Sequence, residues 1–269
     1  MALKDSILLL TDLLDKVKPV CRHQKKHSEK DIHDARVAIK RLKARLHVLP
    51  LKLNQSAIFE QLYQLFTDIS HALASRRDLD VAIATLLALT SSRKEKSISQ
   101  SIKWLHHAFE KQQISAHENS TDLSHLYTNI NQAIQSIKPF KLDKSDLNNI
   151  IQHSWEKTCL AGETALQSAD KDDLHSWRKR SKTLQYQSEI LEDNTHHLET
   201  HKKDLARQGS TLGKLHDLFM LQVMITTISE DAPDSPDMTG LMLIIEEKKH
   251  QLLAQCSRLH RSLCYSSKL

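Results

Sequence analysis

The sequence is poor in the two residues that bend a chain most sharply. Glycine occurs 4 times and proline 5 times in 269 residues, about 3% together where average usage is roughly 12%. A β-sandwich or barrel needs a cluster of such breakers every ~8–12 residues, so those folds lack their material. The shortage also removes two phosphate cradles. Gly162, Gly209, Gly213 and Gly240 cannot be arranged as GxGxxG, and no GxxxxGKS/T string occurs. An all-α protein is what remains.

Long apolar runs are scarce as well. The longest aliphatic stretch is Ile7–Leu10, flanked by Asp5 and Asp12, too short for a membrane span and too acidic at its edges for a signal peptide. The four cysteines, Cys21, Cys159, Cys256 and Cys264, form no CxxC pair. Scattered thiols in a chain of this size fit a reducing compartment, so the expected location is cytoplasmic. With 39% hydrophobic and 26% charged residues, the composition is globular and suffices for one large core or two smaller ones.

The net charge of +5 is unevenly placed. Between Lys16 and Lys52 stand 12 Lys and Arg against Glu29, Asp31 and Asp34, a local +9, so the remainder sums to −4. A second, acid-free basic run covers Leu174 to Ser188, with Arg178, Lys179, Arg180 and Lys182. Such concentration points to a polyanionic partner more than a global excess would.

Apolar residues recur at three- and four-residue spacing almost throughout. The pattern predicts helices near Asp5–Lys18, Ser28–Leu49, Gln55–Ser75, Asp78–Ser91, Ser97–His117 and Thr121–Ile137. A second series is predicted at Ser145–Gln167, Asp172–Leu191, His196–Gln208, Leu212–Ser229 and Pro236–Ser262. Ser28, followed by Asp31, and Asp172 are the predicted caps. Pro139 cannot sit inside a helix and divides the chain into halves, 1–138 and 139–269.

These halves repeat one another. His33, Arg36, Lys40 and Leu42 fall at offsets 0, +3, +7 and +9, as do His175, Arg178, Lys182 and Leu184. A second pair of strings follows: Arg76-Arg77-Asp78-Leu79 lies 45 residues after His33, counted to Asp78, and Lys214-Leu215-His216-Asp217-Leu218 lies 42 residues after His175, counted to Asp217. Two ordered matches at near-equal separation indicate an internal duplication of a helical unit.

On a helix, His33, Arg36, Lys40 and Lys43 fall within about 80° of arc, with His47 extending the stripe. Ile32, Ala35, Ile39, Leu42 and Leu46 occupy the neighbouring arc and are expected to be buried. Like charges three and four residues apart destabilise a helix by roughly a few tenths of a kcal/mol each, which suggests that an anion normally neutralises them. Arginine clasps two phosphate oxygens in a fork, lysine supplies a mobile point charge, and protonated histidine donates from both ring nitrogens. If the halves pack about a two-fold axis, both stripes face one channel suited to a linear polymer with one charge per monomer.

The strings HDARVAIKRLKARL, RDLDVAI, HSWRKRSKTLQYQSEIL and LGKLHDL resemble those of the CHAD family, the conserved-histidine α-helical domain, in the family's order and over nearly the whole chain. The resemblance implies two four-helix-bundle-like halves, related by pseudo-two-fold symmetry around a basic central pore. It implies non-catalytic binding of inorganic polyphosphate, often at polyphosphate granules. Carried onto this chain, the polyphosphate-binding residues are His33, Arg36, Lys40, Arg41, Lys43 and Arg77 in the first half. In the second they are His175, Arg178 and Lys182. Thr183 and Gln185 stand where the family's second half usually carries basic residues, so that half is expected to grip phosphate more weakly. Arg180 lies about 140° from His175 on the helix. The family's frequent companion, a CYTH triphosphate-processing domain, has no room, so a stand-alone CHAD protein is expected, with no enzyme activity, cofactor or membrane.

Rival readings are weaker. His33-Asp34 and His216-Asp217 suggest the metal-dependent HD phosphohydrolases, but adjacent helical residues point ~100° apart, and Arg36 and Lys40 repel a dication. His23/His27 and His197/His201 have the i,i+4 spacing of metal ligands, yet lysines surround both pairs and surface histidines account for them. Nucleic acid offers the same phosphate charge, against which stand 4% aromatics and none within the first stripe, leaving base stacking little support. A helical adaptor for a protein partner is the third class. Cys256 and Cys264 are expected to pack on the last helix, and Trp104, Trp155 and Trp177 to fill helix contacts.

Overall fold

The structure, a computed structural model, describes residues 10–21, 28–49, 57–90, 96–117, 122–137, 144–190, 196–232, 234 and 236–265. Regular structure among these residues is helical throughout: α1 (Leu14–Cys21), α2 (Glu29–Leu46), α3 (Ala57–Ala72), α4 (Ala74–Thr90), α5 (Lys96–His117), α6 (Ser124–Gln135), α7 (Lys144–Ser168), α8 (Lys171–Ser188), α9 (His196–Glu230) and α10 (Thr239–Tyr265). The predicted break at Pro139 lies outside the described residues.

The helix starts show why the chain commits where it does. Ser28 caps α2 in a reciprocal box: its hydroxyl accepts from the Asp31 amide at 3.1 Å, and the Asp31 carboxylate accepts from the Ser28 amide at 3.1 Å. At α8 the cap falls two residues before the expected Asp172. Asp170 Oδ1 accepts from the amides of Asp172 at 2.7 Å and Asp173 at 3.3 Å, because the chain leaves α7 through Ala169 in the left-handed region, φ 52°.

Two predicted helices, His196–Gln208 and Leu212–Ser229, are one helix of 35 residues. Gly209 lies inside it. A helical glycine costs about 1 kcal/mol against alanine. Gln208, Leu212, Leu215 and Leu218 are all buried around it, and burying a leucine stabilises by about 1.5–3 kcal/mol, so packing outweighs propensity. The same reasoning covers Pro19 inside α1, where Leu14, Val17, Val20 and Cys21 are buried.

The chain forms two compact units, each drawing on both halves of the sequence. The first comprises Met1–Arg77, Ser120–Thr158 and Lys182–Glu199. In it α1 packs on α2, α2 on α3, α3 on α6 and α6 on α1, the closed circuit of a four-helix bundle. Ile32, Ala35, Ile39, Leu42 and Leu46 are buried as their spacing predicts, against a core that includes Leu62, Phe66, Ile69, Ile130 and Ile134.

The second unit comprises Asp78–Asn119, Cys159–Ser181 and Thr200–Leu269. Trp177, Leu105, Phe109, Leu221, Ile245 and Cys256 are among its fully buried side chains. α10 packs on α5, where Ser101 Oγ donates to the Asp237 carbonyl at 2.9 Å. Gly162 lets α7 close on this core: a Cβ there would stand 2.6 Å from His260 Nδ1 and 2.9 Å from Trp177 Cε2.

One sequence expectation fails here. Cys264 does not simply pack on the last helix: it is disulfide-bonded to Cys159, joining α10 to α7. Composition shows no such pairing, because the partners stand 105 residues apart and meet only through tertiary packing. Cys21 and Cys256 are free and buried, and burial pushes each thiol up to about 12. Among the described residues no helix is long and apolar enough to cross a membrane.

Candidate polyanion-binding residues

In the first unit the basic stripe runs along α2. The buried face of that helix fixes its rotation, which leaves His33 and Lys40 exposed and Arg36, Arg41 and Lys43 half-buried. Arg36 Nη1 donates to the Leu73 carbonyl at 2.7 Å, one residue beyond α3. A hydrogen bond from a charged donor is short and directional, so the guanidinium is held in one direction.

Arg41 lies off the stripe, at +8 from His33, about 80° round the helix. Its Nε stands 2.9 Å from Glu189 Oε2, with its guanidinium 5.6 Å from the centre of the Tyr186 ring. Its charge is already partly answered within the unit. Lys182, one helical turn before Tyr186, donates to Gln185 Oε1 at 3.0 Å. The Arg77 backbone belongs to α4, but its side chain lies outside the described residues.

Aromatic rings reach the stripe from another helix. Lys43 Nζ stands 5.1 Å above the Tyr63 ring of α3. His47 meets both Phe59 and Tyr63 edge-on, each at 5.6 Å between ring centres. The sequence placed no aromatic within the stripe because these rings arrive through the α2–α3 contact.

In the second unit α8 and α9 pair in antiparallel register. His175 faces His216 with 4.7 Å between ring centres, and Arg178 Nε faces Gly213, where a Cβ would stand 3.8 Å away. The two sequence strings of this repeat thus pack on each other. Each His lies one turn from the Arg or Gly on its own helix, and the small glycine leaves space beside the guanidinium. In the first unit, likewise, Arg36 reaches Leu73, which adjoins the helix carrying the first half's second string.

His216 was not among the residues singled out for binding. The signal was present, since His216-Asp217 occupies the repeat position of Arg77-Asp78. Burial lowers the pKa of His175, and the charges of Lys179 and Arg178 lower it further. Its Nδ1 is buried with no hydrogen-bond partner among the described residues. An imidazole with its Nδ1 unpartnered beside two cations is suited to take up a proton when an anion arrives.

With Cys159 and Cys264 bonded to each other, no group of three or more His, Cys, Asp and Glu among the described residues could hold a metal ion. His23/His27 and the side chains of His197/His201 lie outside the described residues. The side-chain arrangement, arginines and histidines fixed on buried-faced helices, suits anion binding.

Comparison with known proteins agrees with this architecture. A comparison with curated proteins finds no match. Among solved structures the chain is similar to the crystal structure of the CHAD domain from the plant Ricinus communis, at 16% identity and TM-score 0.61, over 97% of this chain and 86% of that one. At that identity the likeness is one of fold. The CHAD domain also matches by sequence over residues 9–226, from the start of the four-helix bundle to within the last turns of α9, and on that span the chain belongs to the CHAD domain family.

Proposed function

We propose that this protein binds inorganic polyphosphate without transforming it, through His33, Arg36, Lys40 and Lys43 of α2 and His175, Arg178 and Lys182 of α8. One observation carries the reading. In each repeat an arginine three residues after a histidine is positioned against the segment bearing the second repeated string, Arg36 by the Leu73 carbonyl and Arg178 beside Gly213. Family membership supports it, since CHAD domains are linked to polyphosphate binding. Arg41 is assigned a lesser role because Glu189 already pairs with it. The proposed setting is the cytoplasm, at polyphosphate granules.

Phosphate is gripped here by side chains, as the absence of glycine loops requires. Arginine forks on helices give directional, charge-assisted hydrogen bonds of about twice the strength of neutral ones.

A second reading, single-stranded nucleic acid, draws on Tyr63 and Phe59 beside Lys43 and His47, an arrangement able to stack bases. The deciding experiment measures affinity for long-chain polyphosphate and for single-stranded RNA at matched phosphate concentration, across a salt series. Polyphosphate is expected to bind at least about tenfold tighter at every salt concentration, with both affinities falling as salt rises. Equal affinities would replace the specific reading with general polyanion binding, and tighter RNA binding would favour the second.

A further inference from the structure

The Cys159–Cys264 bridge sits in an unusual chemical setting. Its two helices each present a pair of metal-ligating residue types one turn apart: Cys159 and Glu163 on α7, His260 and Cys264 on α10. Residues four apart share a helix face. The bridge forces the two faces together, with 5.9 Å between the cysteine Cα atoms. His260 Nδ1 stands 3.6 Å from Cys264 Sγ. Glu163 is near enough to His260 for its charge to act on the ring, and its Oε1 accepts from the Tyr265 hydroxyl at 2.8 Å.

We propose that, once reduced, Cys159, Glu163, His260 and Cys264 form a Zn²⁺ site, and that formation of the disulfide expels the ion. The distances suit it. Tetrahedral zinc takes sulfur at about 2.3 Å and imidazole nitrogen at about 2.0–2.1 Å, which places a ligating sulfur and nitrogen about 3.6 Å apart. His260 and Cys264 already hold that separation. The two sulfurs need only move apart to about 3.8 Å, a side-chain rotation rather than a helix displacement.

The histidine is prepared for the role. His260 is 2% exposed, and Nδ1, the ring nitrogen facing Cys264, is the one placed to bind the ion. Wedged between Gly162 and Trp177, the ring has one orientation. Cys159, Glu163 and Cys264 are half-buried, leaving access for the ion and for thiol reagents. While the sulfurs are bonded to each other no ligand set exists; reduction supplies two thiolates at once. None of the four ligands is among the residues proposed to bind polyphosphate, and His260 and Cys264 lie beyond residues 9–226.

The electron balance is simple. The dithiol releases two protons as it binds Zn²⁺. A small-molecule disulfide, RSSR, then accepts two electrons: one thiolate attacks it, RS⁻ leaves, and the second thiolate displaces another RS⁻ as the protein S–S bond forms. Zn²⁺ departs, and His260 and Glu163 return to the contacts seen here.

The test titrates Co²⁺ into the full-length chain, reduced and oxidised, under anaerobic conditions. The reduced protein should bind one Co²⁺ per chain, with thiolate-to-cobalt absorption and tetrahedral visible bands, and Zn²⁺ should displace it. The oxidised protein should show neither band, and adding a small disulfide to the cobalt form should bleach it. Cys264→Ser should weaken binding at least about tenfold, while His260→Gln and Glu163→Gln should shift the visible bands with the thiolate absorption kept. No thiolate band in the reduced wild type would overturn the proposal, as would equal binding by the oxidised form or visible bands indifferent to His260→Gln. Because the reduced and oxidised samples are the same polypeptide, a variant that misfolds does not decide the result. Polyphosphate affinity serves as an independent readout.

Discussion

At the scale of single residues, the side chain that turns position into chemistry most directly is His175. Lys171, Asp172, Arg178 and Lys179 on its own helix act on its charge, and His216 faces it from α9. Burial and the neighbouring cations hold the free ring below its ordinary value near 6.5, so it is neutral at pH 7. A bound polyanion reverses that balance and raises the pKa. The sign follows: stabilisation of the complex is fully present below the free-state pKa and is lost as pH rises through the bound-state pKa. Affinity for long-chain polyphosphate, whose interior phosphates stay ionised, is therefore expected to be higher at pH 6 than at pH 8. The His175→Gln variant should show a flatter profile, measured by titration at constant ionic strength, and identical profiles would remove His175 from the site. Much at this scale was legible. The stripe and its buried flank follow from 3.6-residue periodicity alone, and both appear as expected. What periodicity could not supply is the partner of each side chain. Glu189 beside Arg41, Leu73 beside Arg36 and Tyr63 beside Lys43 are all contacts between segments distant in sequence.

Among the elements, the turn between α7 and α8 carries the clearest stored cost. Ala169 has φ 52°, a region in which a Cβ is opposed by roughly 1–2 kcal/mol and where glycine normally ends a helix. Its side chain is exposed, so its removal forfeits no packing. Ala169→Gly is expected to stabilise the chain by about 0.5–1 kcal/mol, raising Tm by roughly 1–4 °C for a chain of this size. Thermal melts followed by circular dichroism would show it, and a lowered Tm would contradict the left-handed assignment. Helix boundaries were the less legible part of the sequence at this scale. Asp172 has a cap's chemistry, but the turn through Ala169 hands the role to Asp170. Gly209 looks like a terminator until the leucines buried on either side of it are known. In both cases a local signal is overruled by the packing on which it depends.

For the whole molecule, the duplication read from the sequence and the units seen in space are different divisions, since each unit takes helices from both halves. A linear string shows which segments match, not which segments share a core. The bridge between Cys159 and Cys264 was hidden for the same reason. The proposed function makes one demand at this scale. Arg36 belongs to one unit and Arg178 to the other, so each unit's contribution is tested by its own substitution. Arg36→Ala and Arg178→Ala should each weaken polyphosphate binding, by about tenfold in keeping with ~1.5–3 kcal/mol for a charged hydrogen bond. The double variant should bind more weakly than either single variant. Wild-type affinity in the double variant would refute the assignment. The fused helix α9 adds a consequence in time rather than energy. At 35 residues it is about 52 Å long, and Gly213 and His216 stand near its middle, far from either fraying end. Their backbone amides should be among the slowest to exchange with solvent deuterium. A ligand reaching His216 therefore meets a surface already formed, and association should proceed in a single fast phase with no folding step to wait for.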